Sequence, residues 1–163
     1  MHIDPSPESE PHHERAQLHH HRRRPGHPHE AFTAINDVRG WWGRDVEGPT
    51  DKIGDEFTYY GEVVHRSVIR VEELVPGERV VWHVVDNWMS FVTDQSEWKD
   101  TRIVFDLSPT ERGTEIRFSH LGLVPTYECY DTCFDAWSFF LQQSLPSLIT
   151  TGVGRPLEKM RTA

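Results

Sequence analysis

The chain has 163 residues, which suits one domain of ordinary size, and its formal net charge is -9. That charge argues against a nucleic-acid surface, which needs a basic stripe, and no run of about 18 apolar residues predicts a membrane span. Because the N-terminus also lacks the pattern of a secretory signal and the chain has two cysteines, we expect a cytoplasmic protein without a disulfide framework.

The N-terminal segment differs from the rest of the chain in composition. Eight of the eleven histidines lie within residues 1–29, and large apolar side chains are nearly absent there. Such a segment cannot bury enough surface to offset its ordering entropy, so we predict a disordered His/Arg-rich tail over residues 1–29. We also hypothesise that it is a frameshifted first strand. Codons for His19–Arg24, shifted by one base, can read Thr-Thr-Thr-Val-Val-Val, which is typical of a strand.

The folded part begins with a helix and continues as strands. Apolar residues at helical spacing predict an amphipathic helix over Pro28–Val38, ended by Gly40. Val-rich or alternating stretches separated by turn signals predict five strands, which are Gly54–Tyr60, Val63–Val75, Arg79–Asp86, Asp100–Leu107 and Thr114–Leu121. This alternation indicates an antiparallel sheet with one covered face and one solvated face.

A long helix is predicted at the end of the chain. An apolar stripe runs from Tyr127 to Leu148, Pro146 should kink the helix or end its regular part, and Gly152 ends it. The order of elements indicates an α+β domain over residues 30–154, followed by a C-terminal tail over residues 155–163. A curved antiparallel sheet packed around one long helix can leave a space between them, and such a space is the default ligand site.

Several stretches resemble one known superfamily. They include EAFTAINDVRGWWG, VEELVPGERVVWHVVDNW, GTEIRFSHLGLVP and ECYDTCFDAWSFF. They resemble the START-like, or SRPBCC, superfamily, and within it the branch named after the activator of heat shock protein 90 ATPase. The resemblance implies a helix-grip (START/Bet v-like) fold. Members usually have a β-strand before the first helix, so either another stretch supplies that strand here or one edge of the sheet is bare.

The segment HLGLVPTYECYDTC contains residue types that bind metals. His120, Cys129 and Cys133 could form a site with Glu128 or Asp131, since imidazole and thiolate are good zinc ligands. A single pair of cysteines four residues apart is a weak zinc signal, however, and the two cysteines share one helix face beside the apolar stripe. We therefore interpret them as packing residues and predict no metal and no cofactor.

Aromatic and histidine side chains are the candidates for contact with a ligand. His120 continues the face of Ile116 and Phe118, so it is either a satisfied core histidine or a group that orients a ligand. Some of the six tryptophans are candidates for an aromatic pocket, and Asp86–Phe91 is a candidate rim loop. The candidate cavity residues are Trp82, His83, Phe105, Phe118, His120, Tyr130, Phe134 and Trp137.

The sequence predicts a binding protein for a small apolar or aromatic molecule, with that cavity as the site. One alternative is a co-chaperone-like interaction module, implied by the resemblance, whose partner is a chaperone or a second copy of the chain. Another is a cavity enzyme of the cyclase or hydrolase type, because the superfamily includes such enzymes. No catalytic signature occurs in the sequence, so we assign no catalytic residue and favour a role without catalysis.

Overall fold

The computed structural model describes residues 27–61, 65–111 and 113–159, together with the backbone of His19–His20. The disorder that the composition predicts for residues 1–29 falls mostly outside these residues. The described strands, in chain order, are β1 (His19–His20), β2 (Val46–Glu47), β3 (Glu56–Gly61), β4 (His65–Val75), β5 (Arg79–Met89), β6 (Arg102–Thr110) and β7 (Gly113–Leu121). The helices are α1 (Pro28–Asn36), α2 (Val38–Trp41), α3 (Tyr130–Phe139), a π-helical segment (Phe140–Ser144) and α4 (Leu145–Thr151).

The described strands form one curved antiparallel sheet in the order β1-β7-β6-β5-β4-β3-β2. The predicted α+β helix-grip fold, with a curved sheet packed around a long C-terminal helix, is confirmed. Strand β5 is longer than predicted, because β4 continues to pair with it as far as His65 opposite Met89. The stretch Asp86–Met89 is therefore strand, and the loop interpretation holds for Ser90 and Phe91.

The sheet edge beside β7 is occupied by β1, in which His19 pairs with Arg117 and His20 with Ile116. This is the position for which the family resemblance implies a first strand. An uncovered strand offers a row of unpaired backbone groups, which favours pairing with any extended segment nearby. Two residues inside the segment of tail-like composition thus have strand backbone at this edge.

The outer face of the sheet is charged. Arginines there pair with carboxylates on neighbouring strands: Arg70 with Glu56, Arg102 with Glu72, and Arg79 with both Glu73 and Asp106. A register shift between Val71 and Glu73 brings both Glu72 and Glu73 to this face. Since these side chains are partly exposed, each pair contributes about 0–1 kcal/mol. The outer face is the solvated face that the alternation predicts.

The inner face holds the apolar core, and one half of it is closely packed. Phe105 contacts Trp82 and Phe118 edge to face, with ring centroids 5.1 and 5.3 Å apart. Trp41 meets the same Phe105 ring edge to face at 6.0 Å. All four side chains are buried, and we call this group (Trp41, Trp82, Phe105 and Phe118) the filled half of the inner face.

The C-terminal helix is continuous but irregular. Its turns widen to π-helix at Phe140–Ser144, directly before Pro146. Proline has no N–H and cannot donate to the carbonyl four residues earlier, so the regular ladder is interrupted where the sequence predicts. The helix ends at Thr151, followed by Gly152 in the left-handed conformation with φ of 83°. None of the helices in the described ranges is long and apolar enough to cross a membrane.

Candidate functional site

A pocket of about 670 Å³ lies between the sheet and the C-terminal helix. It opens beside the filled half, and its walls come from separate parts of the chain: Trp42 after α2, strands β3 to β5, the β5–β6 loop, the C-terminal helix and residues 155–158. Pockets that hold drug-sized ligands typically have about 300–1,000 Å³ and mostly apolar linings. The size and the lining therefore suit one small organic molecule.

Parallel aromatic rings form the walls of this pocket. The ring of Trp42 stacks on Tyr59 at 3.9 Å and on Trp137 at 5.0 Å, and Trp137 stacks on Trp98 at 5.9 Å. All four side chains are buried, so their orientation is fixed before any ligand arrives. We call these four residues and His65 the open half of the inner face.

A hydrogen-bond chain behind the wall fixes two of these rings. Trp137 Nε1 donates to His120 Nδ1 at 3.2 Å, so the imidazole hydrogen lies on Nε2 and is donated to Thr101 Oγ1 at 2.8 Å. Thr101 Oγ1 in turn donates to the carbonyl of Trp98 at 2.6 Å. His120 is fully buried, and it acts on the pocket by holding Trp137 and Trp98 in place.

His65 is the polar side chain at the inner end of the pocket. Its ring meets Trp98 edge to face at 4.6 Å and Tyr59 at 5.3 Å, and its Nε2 lies 2.7 Å from Ser67 Oγ. Burial among these rings lowers the pKa of His65 to about 3. The imidazole is therefore neutral near pH 7, and it offers hydrogen bonds to a ligand without a charge.

The cysteines lie at the start of α3 with a buried carboxylate beside them. Glu97 accepts hydrogen bonds from the backbone N–H groups of Glu128 and Cys129, at 3.0 and 3.1 Å, and so stabilises the helix start. The hydrogen bond to Cys133, together with burial, raises the pKa of the Cys129 thiol. Both thiols are free and buried, and no group of three His, Cys, Asp or Glu among the described residues is arranged to hold a metal ion.

The end of the described chain forms one side of the pocket. Leu157 donates its N–H to the carbonyl of Trp42 at 3.0 Å and accepts from the N–H of Arg44 at 2.9 Å. Arg155 donates its backbone N–H to Ser144 Oγ at 2.7 Å. Residues 155–158, which were predicted to belong to a C-terminal tail, are thus bound to the domain by hydrogen bonds and line its pocket. Residues 160–163 of that predicted tail lie outside the described ranges.

The eight candidate cavity residues lie in five different places. Trp137 lines the pocket, and His120 lies behind its wall. Trp82, Phe105 and Phe118 belong to the filled half. Tyr130 and Phe134 stack on each other at 6.4 Å on α3, outside the lining, and His83 lies on the outer face, 3.2 Å from Asp100. Contact of these residues with a ligand stays a prediction.

Several lining residues were not among those candidates, chiefly Trp42, Tyr59, His65 and Trp98. Part of the signal was present in the sequence. His65 and Ser67 alternate with the apolar pair Ile69 and Val71 on one strand face, so polar side chains end an inward-facing row. Of the stretch Asp86–Phe91, interpreted as a possible rim, Met89 and Phe91 line the pocket.

Comparison with known proteins places the fold. The model of the family described as "Activator of Hsp90 ATPase homolog 1-like protein" matches residues 29–149. The Aha1 dimer from Colwellia psychrerythraea, solved in solution, is similar with a TM-score of 0.65 and 21% identity over 85% of this chain and 97% of that one. No curated protein matches the sequence.

Two further solved structures are similar. Protein CV1439 from Chromobacterium violaceum has a TM-score of 0.59 and 21% identity, covering 82% of this chain and 95% of that one. DynU16, from the dynemicin biosynthetic locus, has a TM-score of 0.63 and 15% identity, covering 88% of this chain and 50% of that one. At these identities the likeness establishes the fold alone.

Proposed function

This chain belongs to the family of Activator of Hsp90 ATPase homolog 1-like proteins, and from its pocket we propose that it binds a small apolar or aromatic molecule between sheet and C-terminal helix. The single observation that carries the proposal is the open half of the inner face, where buried aromatic rings line about 670 Å³ of space. We further propose a cytoplasmic location, which the two free thiols support.

The energetics of the walls favour a flat ligand. Trp42, Trp98 and Trp137 present stacked ring planes, and burial of an apolar surface against them contributes about 25 cal/mol per Å². Because the rings are already ordered by their own contacts and by the His120 chain, binding orders few side chains. A preorganised site of this kind loses less of its binding energy to entropy.

The test is a binding assay with the fluorescent probe N-phenyl-1-naphthylamine, combined with a thermal-shift series of aromatic compounds. At about a hundredfold excess over Kd, a ligand of the native state raises Tm by about 5–10 °C in a domain of this size. We expect probe fluorescence to rise on binding. Absence of both the fluorescence change and any thermal shift across the series would reject the proposal.

A matched pair of variants places the probe in the pocket. Ala136 and the neighbouring Asp135 are both exposed on α3, but Ala136 lines the pocket and Asp135 does not. Ala136→Trp should fill the pocket and abolish the fluorescence change, while Asp135→Trp adds the same bulk outside it and should leave binding intact. Equal loss in both variants, or in neither, would place the probe elsewhere.

A protein-interaction role is the second candidate, favoured by exposed aromatic side chains. Trp88, Phe91 and Phe139 are 37%, 43% and 38% exposed, and the family takes its description from activators of the Hsp90 ATPase. The similar Colwellia protein is a dimer. Sedimentation velocity tests self-association of this chain, and an Hsp90 ATPase assay with added protein tests the co-chaperone role. A monomer without effect on the ATPase removes this candidate.

A further inference from the structure

The hydrogen-bond partners of Ser67 determine which nitrogen of His65 carries the hydrogen. Ser67 is fully buried, and among the described residues its hydroxyl has two neighbours, Asn87 Nδ2 at 3.4 Å and His65 Nε2 at 2.7 Å. Asn87 Oδ1 accepts from the backbone N–H of Trp98 at 3.0 Å, which turns its amide nitrogen towards Ser67. An amide nitrogen only donates, so the Ser67 hydroxyl hydrogen goes to His65 Nε2.

His65 therefore carries its own hydrogen on Nδ1. A neutral imidazole has one N–H, and Nε2 is occupied as an acceptor. No described residue accepts a hydrogen bond from Nδ1. The His65 side chain itself lines the pocket and is only partly buried. The inner end of the pocket, whose lining also includes Thr132, Arg155 and Glu158, thus presents one N–H donor without a protein partner in the described ranges.

Gly61 leaves space beside this donor. It pairs with His65 across strands β3 and β4 and lines the pocket itself. A Cβ at position 61 would lie 3.4 Å from His65 Nδ1 and 3.1 Å from Cε2 of Tyr59. Because glycine has no side chain, a ligand atom can approach Nδ1 from this side.

Trp98 packs against His65 at this end. Its indole ring contacts His65 at 4.6 Å, and its buried Nε1 has no hydrogen-bond partner among the described residues. A buried donor without a partner is costly, and native structures normally satisfy it. The Nδ1–H group of His65 therefore favours a ligand group that accepts a hydrogen bond, such as a carbonyl oxygen.

We propose that the ligand is a planar aromatic carbonyl compound, whose rings lie against the aromatic lining of the pocket and whose oxygen accepts from His65 Nδ1 beside Gly61. This inference deepens the proposed function and rests on it. It adds a chemical class and an orientation, with the carbonyl at the inner end and the rings towards the mouth. The residue that sets specificity is His65, acting as a neutral donor.

The experiment compares 9-fluorenone with fluorene, which have nearly the same shape and differ in the carbonyl oxygen. Both are titrated as competitors of bound N-phenyl-1-naphthylamine on the full chain. One added hydrogen bond should make fluorenone bind about three- to tenfold more tightly than fluorene. Equal displacement by the two compounds would overturn the carbonyl inference and leave the proposed pocket standing, whereas failure of the naphthylamine probe to bind, together with no thermal shift from any compound of the series, would overturn both.

Variants assign the preference to this end of the pocket. His65→Phe removes the donor and should bring the fluorenone-to-fluorene ratio to about one, as one hydrogen bond is lost. Gly61→Ala keeps the imidazole but covers Nδ1, and should reduce the ratio in the same direction. His83→Phe is the matched control, because His83 lies on the outer face, and it should keep the wild-type ratio. A ratio unchanged in Gly61→Ala and His65→Phe would overturn the assignment.

The tautomer provides an independent readout that does not depend on a variant's folding. The ¹⁵N chemical shifts of the His65 ring in the free wild-type protein distinguish a protonated from an unprotonated Nδ1. We expect the hydrogen on Nδ1, and a change of that nitrogen's shift with fluorenone but not with fluorene. A hydrogen found on Nε2 would contradict the inference.

Discussion

The two halves of the inner face use the same kinds of side chain and reach opposite results. In the filled half, Phe105 meets Trp41, Trp82 and Phe118 edge to face, and rings that meet at steep angles fill space in all directions. In the open half, Trp42 and Trp98 each stack on Trp137, with ring centroids 5.0 and 5.9 Å apart. The rings of the open half border the pocket, whereas those of the filled half are enclosed by other side chains.

The halves also differ in where their residues come from. Phe105 and Phe118 face each other across the central strands β6 and β7, so sheet register alone brings them together. Trp42, Trp98 and Leu157 reach the open half from a turn after α2, from the β5–β6 loop and from the end of the described chain. Loops and strand ends are set by local hydrogen bonds, and they can leave space that paired strands close.

The largest expected effect separates the halves by stability. Trp82→Ala, in the filled half, should lower the free energy of unfolding by about 3–5 kcal/mol, because a large cavity forms in a packed core. Phe91→Ala, at the exposed mouth of the pocket, should cost less than about 1 kcal/mol. Urea denaturation measures both values. Similar losses in the two variants would show that the open half is packed as tightly as the filled half.

The His120 chain supports the open half from behind, and its removal should have the next largest effect. His120→Phe leaves Trp137 Nε1 without its acceptor and Thr101 without its imidazole partner, so we expect a loss of about 2–4 kcal/mol. Probe affinity should fall as well, because the two indole rings lose their support. If the variant is destabilised but binds the probe with wild-type affinity, His120 stabilises the core and does not support the pocket.

Acidification should lower the stability of the protein through His65, which lies in the open half. Burial lowers the pKa of His65 from its ordinary value of 6.5 to about 3, so between these pH values the unfolded chain binds a proton and the folded chain does not. Stability therefore falls as the pH decreases from about 6.5 towards 3. Between about pH 7.5 and 5, the free energy of unfolding of His65→Phe should fall by about 1 kcal/mol less than that of wild type. This difference is smaller than the full pKa shift would give, because the ring is partly exposed.

The matched control for this measurement is His83→Phe on the outer face. Chemical denaturation at the two pH values should give a wild-type pH dependence for this variant. If His65→Phe retains the full wild-type loss on acidification, the burial of that imidazole does not contribute to acid sensitivity.

The smallest effect is chemical rather than energetic. The hydrogen bond to Cys133 and burial raise the pKa of Cys129, and a thiol reacts through its thiolate. We expect both cysteines to react with 5,5′-dithiobis(2-nitrobenzoic acid) slowly in the folded protein and rapidly in urea. If Cys133 alone reacts rapidly in the folded protein, reagent enters through the pocket that it lines.

The sequence predicts the fold well because the fold depends on short-range patterns. Alternation along β6 and β7 identifies the inward row Ile103, Phe105, Ile116 and Phe118, and the stripe after Tyr127 identifies the long helix. The start of that helix is displaced to Tyr130, because Val124 and Tyr127 accept hydrogen bonds of successive turns first. Such turn geometry is weakly encoded in apolar spacing.

The site is less predictable because its parts are far apart in the chain. The candidates that lie on central strands, such as Trp82 and Phe105, belong to the filled half. Central strands have both the clear apolar pattern that identifies a candidate and the close packing that leaves no room for a ligand. Trp98 and Leu157 lie outside the regular helices and strands, where the spacing of apolar residues does not predict which way a side chain points. The edge strand His19–His20 is a further example, since histidine has no strand signature and these two residues pair with β7 by position.

The π-helical segment has a consequence for how the length of this chain can vary. One residue added to a regular α-helix turns every later side chain by about 100°, which would carry Leu145 out of the core. A wider turn takes up that residue locally, and here Leu145 stays fully buried after Phe140–Ser144. In this chain, we therefore expect an insertion or deletion of one residue to be best tolerated at the exposed pair Gln142 and Gln143, within the wider turn.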